Sequence, residues 1–194
     1  MNFQSDIVLE NERVRLEPLG LQHLPELLPI AQQHPKLLQY SPSPFGSEDG
    51  LRTNIESAIK GRENKERYSF AIWDKQFNRY VGSTSFGSIS PKDERLEIGW
   101  TWLDVAAQGT GLNKHCKFLL LRYAFEQLHY KRVEFKTDSR NLQSRRALEK
   151  IGAQYEGELR SHTVLLDGFR CTTAYYSILA EEWPEVKKRC FLGI

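Results

Sequence analysis

Only three of the 194 residues are cysteines, Cys116, Cys171 and Cys190, widely spaced and without a Cys-x-x-Cys pair. That excludes a disulfide framework and points to reduced thiols in a cytoplasmic protein. Histidine is scarce as well. His23, His34, His115, His129 and His162 show no His-Glu-x-x-His or other ligand spacing, so no structural or catalytic metal is expected. No apolar run approaches the ~20 residues that a membrane-spanning helix needs. The start, Met1-Asn2-Phe3-Gln4-Ser5-Asp6, has neither the basic region nor the apolar stretch of a secretory signal. Charge of one sign is also missing. The 27 basic and 25 acidic residues leave +2, too balanced to argue for nucleic acid as a partner. Repeats, low-complexity segments and linkers are absent. The expectation is one domain over residues 1–194, away from membranes, with monomer and homodimer both open.

What the chain does have is a glycine turn between a strand and a helix. Arg95 to Leu103 reads as a strand, then comes Gln108-Gly109-Thr110-Gly111-Leu112-Asn113-Lys114, then a largely buried helix from Cys116 to Leu128. The first N–H groups of a helix lack internal partners and the dipole makes them positive, so this is a site for an anion such as a phosphate. Glycine lets the backbone come close to it. A P-loop would need Gly-Lys-Ser/Thr, but Lys114 follows no glycine and His115 holds the hydroxyl position. A dinucleotide fingerprint would need a third glycine where Lys114 stands. The pattern Gln/Arg-x-x-Gly-x-Gly/Ala fits at Gln108 and Gly111 and departs at Asn113. On the loop alone, that pattern and an ordinary glycine-containing helix start both stay open.

The surroundings narrow the choice. Arg132 to Asp138 reads as a strand, and Asn141-Leu142-Gln143-Ser144 to Gly152 supplies Asn-x-x-Ser followed eight residues later by glycine. Glu156-Gly157, Leu159-Arg160, Asp167-Gly168 and Tyr176-Ser177-Ile178-Leu179 follow. Together with the loop, these segments resemble the GNAT N-acetyltransferases. They are most similar to the RimJ/RimL-type branch, named for enzymes that acetylate ribosomal protein N-termini.

Periodicity gives the remaining elements. Val14 to Leu19 alternates as a strand, and Leu21, Leu24, Leu27, Leu28 and Ala31 recur as a helix. The segment from His34 to Gly50, with Tyr40 and Phe45, reads as a loop and a wall of the acceptor site. Ser47 caps a second helix to about Lys60. Strands follow at Tyr68–Trp73 and Tyr80–Phe86, and two more flank Asp167-Gly168. The order β-α-α-β-β-β-α-β-α-β-β implies a mixed α/β sheet with helices on both faces; the resemblance implies the GNAT fold, α/β (α+β), with a mostly antiparallel central sheet.

The resemblance implies an acetyl-CoA-dependent N-acetyltransferase acting on a protein N-terminus or a small-molecule amine. A non-catalytic acyl-CoA-binding or regulatory module of the same fold is the alternative. The resemblance also implies that backbone N–H groups from Gly109 through Thr110, Gly111, Leu112 and Asn113 to Lys114 hold the pyrophosphate, with Gln108 heading the motif. The pantetheine arm would pair with the backbone of Leu103 and Val105, and Asn141 would anchor the segment or bond that arm. Ser144 resembles a serine that protonates the leaving thiolate, or it bonds the cofactor. Period-two alternation places Arg95, Glu97, Gly99 and Thr101 on one face, and Leu96, Ile98 and Trp100 on the other. Glu97 is the candidate general base, since an ammonium has no lone pair until a base removes its proton. An ion pair with a neighbouring strand charge is its other reading.

Overall fold

The computed structural model describes residues 1–33, 37, 39–43 and 45–194. Eight strands form one sheet in the order β1-β2-β3-β4-β5-β6-β8-β7. They are β1 (Leu9–Glu10), β2 (Val14–Pro18), β3 (Tyr68–Asp74), β4 (Arg79–Ser90), β5 (Arg95–Leu103), β6 (Arg132–Asp138), β7 (Gln154–Val164) and β8 (Arg170–Leu179). Every neighbouring pair is antiparallel except β5 with β6. The parallel pair is joined through a helix, because parallel strands need a crossover.

Alternation along the strands gives the sheet two apolar faces. One face carries Leu16, Phe70, Phe86, Leu96, Ile98, Val133 and Phe135, packed on α3 (Leu112–Arg122). The other carries Ala71 and Trp102, packed on Leu27 of α1 (Leu24–Gln33) and on Leu51 and Ile55 of α2 (Glu48–Glu63). Each buried leucine, isoleucine, valine or phenylalanine among these contributes about 1.5–3 kcal/mol. The helix termini follow their residues. Ser47 Oγ accepts the Gly50 N–H at 3.1 Å and caps α2. Asn141 Oδ1 accepts the Ser144 N–H at 3.0 Å and caps α4 (Leu142–Lys150). Gly111 enters α3 at φ +89, a left-handed conformation that suits glycine.

Two elements escape the sequence reading. β1 is only two residues long, too short for a period to show. A last helix, α5 (Trp183–Cys190), packs on α3 with Trp183 and Phe191 at 6.3 and 5.4 Å from the Phe118 ring. It supplies the second partner that an almost wholly apolar α3 needs. Of the His34–Gly50 segment, residues 34–36, 38 and 44 lie outside the described residues. Among the described ones, the Phe45 ring packs tilted against Trp102 at 5.1 Å, and the Tyr40 ring lies 5.8 Å from the Arg140 guanidinium carbon. Among the described residues, no helix is long and apolar enough to cross a membrane.

Candidate active site

The site is a gap in the sheet. β5 and β6 pair at Arg95 with Arg132, Leu96 with Val133 and Glu97 with Glu134, and no pairing continues beyond Glu97. The rest of β5 therefore presents an open edge. The Asp104 N–H is spent on Val81 O of β4 at 2.7 Å. Backbone groups alternate along a strand, so the Leu103 N–H and C=O point the other way, into the gap. The Leu103 carbonyl there accepts from Gln108 Nε2 at 3.0 Å. Gln143 Nε2 reaches Gln108 Oε1 at 2.9 Å and ties the start of α4, with Asn141 and Ser144, to the same end of the gap.

The glycine loop closes that end. Gly109 has φ +75 and Gly111 φ +89, and a Cβ placed on either would meet no atom within 4 Å. Their requirement is conformational, and the space beside them is open for a ligand. Among the described residues, the N–H groups of Gly109, Thr110, Gly111 and Asn113 have no acceptor. Thr110 Oγ1 instead donates to Ala107 O at 2.8 Å, and Leu112 N–H has only a 3.5 Å contact with that hydroxyl. This cradle of unpaired donors at a helix N-terminus fits a pyrophosphate. Two expectations need correction, those for Lys114 and Val105. The Lys114 N–H is not free, being bonded to Gly111 O at 2.9 Å, and its ammonium sits 6.0 Å from the Phe191 ring. Val105 lies beyond the strand in a single 3-10 turn, so its backbone cannot extend the β5 ladder. Asn113, the departure from the pattern, turns its Oδ1 into a buried position without a partner.

At the other end of the gap lies Glu97, nearly buried. Its Oε2 accepts from Lys136 Nζ at 2.8 Å and from Ser88 Oγ at 2.9 Å. Its Oε1 accepts nothing among the described residues and lies over Gly99, 2.9 Å from where a Cβ would stand. Glycine at 99 is thus what leaves that oxygen room. Burial works against the Lys136 ammonium, but the Glu97 hydrogen bond and charge, with Tyr175 and Glu134, hold its pKa above the ordinary lysine value. Two irregularities frame the carboxylate. Register shifts in the β4–β5 ladder bring Ser88 (φ +48) back toward it, and put Trp100 (φ +50) at a bulge.

That bulge overturns the strict alternation past Gly99. Thr101 shares the α3 face, bonded to Thr84 Oγ1 at 2.8 Å and to Lys117 Nζ at 2.9 Å. Trp100 moves to the Glu97 face, where it covers Gly87. Glu97 and Gly99 keep their predicted side.

Several residues of this site were not singled out by the sequence: Ser88, Trp100, Lys117 and Lys136. Lys117 carried a readable signal, a lysine inside the apolar run from Cys116 to Leu121. Its ammonium is buried 6.0 Å from the Phe135 ring, and burial lowers its pKa to about 8. Burial pushes the neighbouring Cys116 thiol up to about 12, an inert group. Glu97 and Ser144 are not linked by any hydrogen bond among the described residues. Among the described residues, no group of three histidine, cysteine or carboxylate side chains could hold a metal.

Known proteins share this sequence pattern and fold. Residues 13–154 match the family model described as "Acetyltransferase (GNAT) domain". The Bacillus subtilis (strain 168) protein named "Probable N-acetyltransferase YjcK" is 34% identical over 115 residues, which span 59% of this chain and 63% of that protein. From the same organism, "Putative ribosomal N-acetyltransferase YdaF" is 27% identical over 179 residues, 89% of this chain and 92% of its own. A solved GCN5-related N-acetyltransferase from Brucella melitensis superposes with a TM-score of 0.88 at 27% identity, covering 96% of this chain and 85% of that one.

Proposed function

The chain belongs to the GNAT acetyltransferase family, and on that premise we propose that it moves the acetyl group of acetyl-CoA to a primary amine, with residues 1–194 as one catalytic domain. The observation that carries this reading is the gap itself. One end is a cradle of free N–H donors, the edge between is open, and the other end holds a carboxylate with one free oxygen.

Acetyl-CoA supplies an activated thioester. The chain's own groups do the rest. N–H donors of Gly109, Thr110, Gly111 and Asn113 hold the pyrophosphate, with the Leu112 N–H beside them. The Leu103 N–H lies where it can bond the pantetheine arm or the acetyl carbonyl, and Asn141 holds the start of α4 against that arm. Glu97 Oε1 takes the proton from the acceptor ammonium, directly or through one water. Ser144 Oγ makes no hydrogen bond among the described residues, which leaves it free to donate to the departing sulfur. The ribosomal name of YdaF favours a protein N-terminus over a small amine as acceptor.

The ion pair that holds Glu97 to Lys136 favours a second reading, a non-catalytic acyl-CoA-binding module. One experiment separates the two. The protein is incubated with acetyl-CoA and a panel of free-amine peptides and small amines, while thiol release and a mass gain of ~42 Da, one acetyl group on the amine, are followed. Enzymatic transfer to any acceptor excludes the module. Binding of acetyl-CoA without transfer to any of them favours it.

A further inference from the structure

On the face of the sheet that carries Glu97, the Arg67 guanidinium meets no carboxylate among the described residues. Arg67 stands just before β3, two residues from Ser69, and so shares its face. Its Nε–H donates to Ser85 Oγ at 3.1 Å, and Ser85 Oγ is within 2.9 Å of Ser69 Oγ. The guanidinium carbon lies 4.9 Å from the Trp100 ring. Arg132, Arg140 and Arg145 each meet a carboxylate. Arg67 meets none among the described residues, and burial alone lowers its pKa to about 10. Its two terminal nitrogens donate to nothing among the described residues, which leaves the planar fork that matches a carboxylate or phosphate. Arg67 is partly buried, so its guanidinium is incompletely hydrated and without an anion, which is unfavourable; a ligand that brings the anion offsets that cost.

The fork and the base address the same ground. Ser69, Ser85 and Gly99 are direct neighbours across β3, β4 and β5. Glu97 Oε1 lies over Gly99 and Arg67 is bonded to Ser85. Strands are ~4.8 Å apart, so base and fork are separated by on the order of one to two strand spacings. Trp100, turned onto this face by the bulge, stacks over the fork and walls the space between them.

We infer that Arg67 is the anion subsite of the acceptor cleft, so that the acceptor is an amine carrying a carboxylate or phosphate within on the order of 10 Å of its nitrogen. A peptide with an acidic first or second residue meets this description. The inference rests on the acetyl-transfer reading above for the role of Glu97.

The test uses matched peptides with free N-termini that differ only at the second residue: glutamate against glutamine, and phosphoserine against serine. Each is titrated calorimetrically in the presence of free coenzyme A, and each is assayed for acetyl transfer, with wild-type protein, Arg67→Met and Arg67→Lys. Wild-type protein is expected to prefer the anionic member of a pair by about tenfold, the size of one charge-assisted hydrogen bond. Arg67→Met is expected to bring that ratio to near one, mainly through KM, and Arg67→Lys to restore part of it. Preference for the glutamate or the phosphoserine member identifies which anion the fork takes. A ratio near one in wild-type protein for both pairs, in binding and in transfer, overturns the inference. So does a preference that survives in Arg67→Met. Should no peptide be acetylated, transfer to peptide N-termini fails as the acceptor reading, while the binding ratios still decide the anion subsite.

Discussion

At the C-terminal end of β5 the groups offered to a ligand are backbone N–H donors on glycines that face open space, whereas toward its N-terminal end they are charged side chains packed against one another. The first end needs a conformation and little else: φ +75 and +89 at Gly109 and Gly111. The second needs particular atoms. Glu97 is held by Lys136 and Ser88 at 2.8 and 2.9 Å, and Gly99 leaves its other oxygen room. A backbone cradle tolerates changes of side chain, while a buried ion pair tolerates almost none. Binding of the acyl donor and transfer to the acceptor should therefore be separable by mutation.

The sharpest separation is expected from Glu97→Gln. Loss of a general base costs about 100-fold or more in turnover, measured as thiol release, while acetyl-CoA affinity by calorimetry stays within about twofold, since no loop contact is lost. A parallel fall in both would join the two ends into one unit.

Lys117 lies beneath the gap and tests the charged architecture through stability. Burial holds it at about 8 against an ordinary 10.5. Between those values the unfolded chain binds the extra proton, so stability rises with pH across this window. Below pH 8 the penalty of a buried ammonium is fully present. Lys117→Met should thus raise unfolding stability at pH 7 by up to about 3 kcal/mol, and the gain should fade as the pH climbs from 8 toward 10. An equal gain at pH 7 and pH 10 in denaturant unfolding would mean that the lysine is not depressed.

A smaller effect is expected at the loop. Gly111→Val forces a β-branched residue to φ +89 and aims its side chain into the open space beside the cradle, with strain of about 1–3 kcal/mol. Acetyl-CoA affinity should fall by about tenfold or more, with turnover at saturation largely kept. A variant with unchanged affinity would remove the loop from donor binding. The least effect belongs to Val105→Ala. Val105 sits on a 3-10 turn and is 44% exposed, and a surface change of this kind stays within about 0.5 kcal/mol, so affinity and turnover should both move by less than threefold.

The same contrast explains what could be read in the sequence. The donor end is local: strand, glycine turn and helix start are adjacent in the chain, and each announces itself by period or by glycine. The Ser47 cap and the Asp167-Gly168 hairpin were legible for the same reason. The acceptor end is assembled across distance. Lys136 reaches Glu97 from β6, Ser88 from β4, and Arg67 lies three strands away from β6 in the sheet order. The Trp100 bulge defeats period-two reading because the extra residue is set by pairing with β4, and nothing local marks it. β1 and α5 escaped for other reasons, one by its length and the other because no motif marks Trp183 to Cys190.

Calorimetric titration of acetyl-CoA into the wild-type protein, with ATP and NAD as controls, tests the central claim most directly. The account predicts saturable binding at about one site per chain, as one cradle of free N–H groups requires, with neither control binding comparably. No binding of acetyl-CoA, or equal binding of all three, would contradict it.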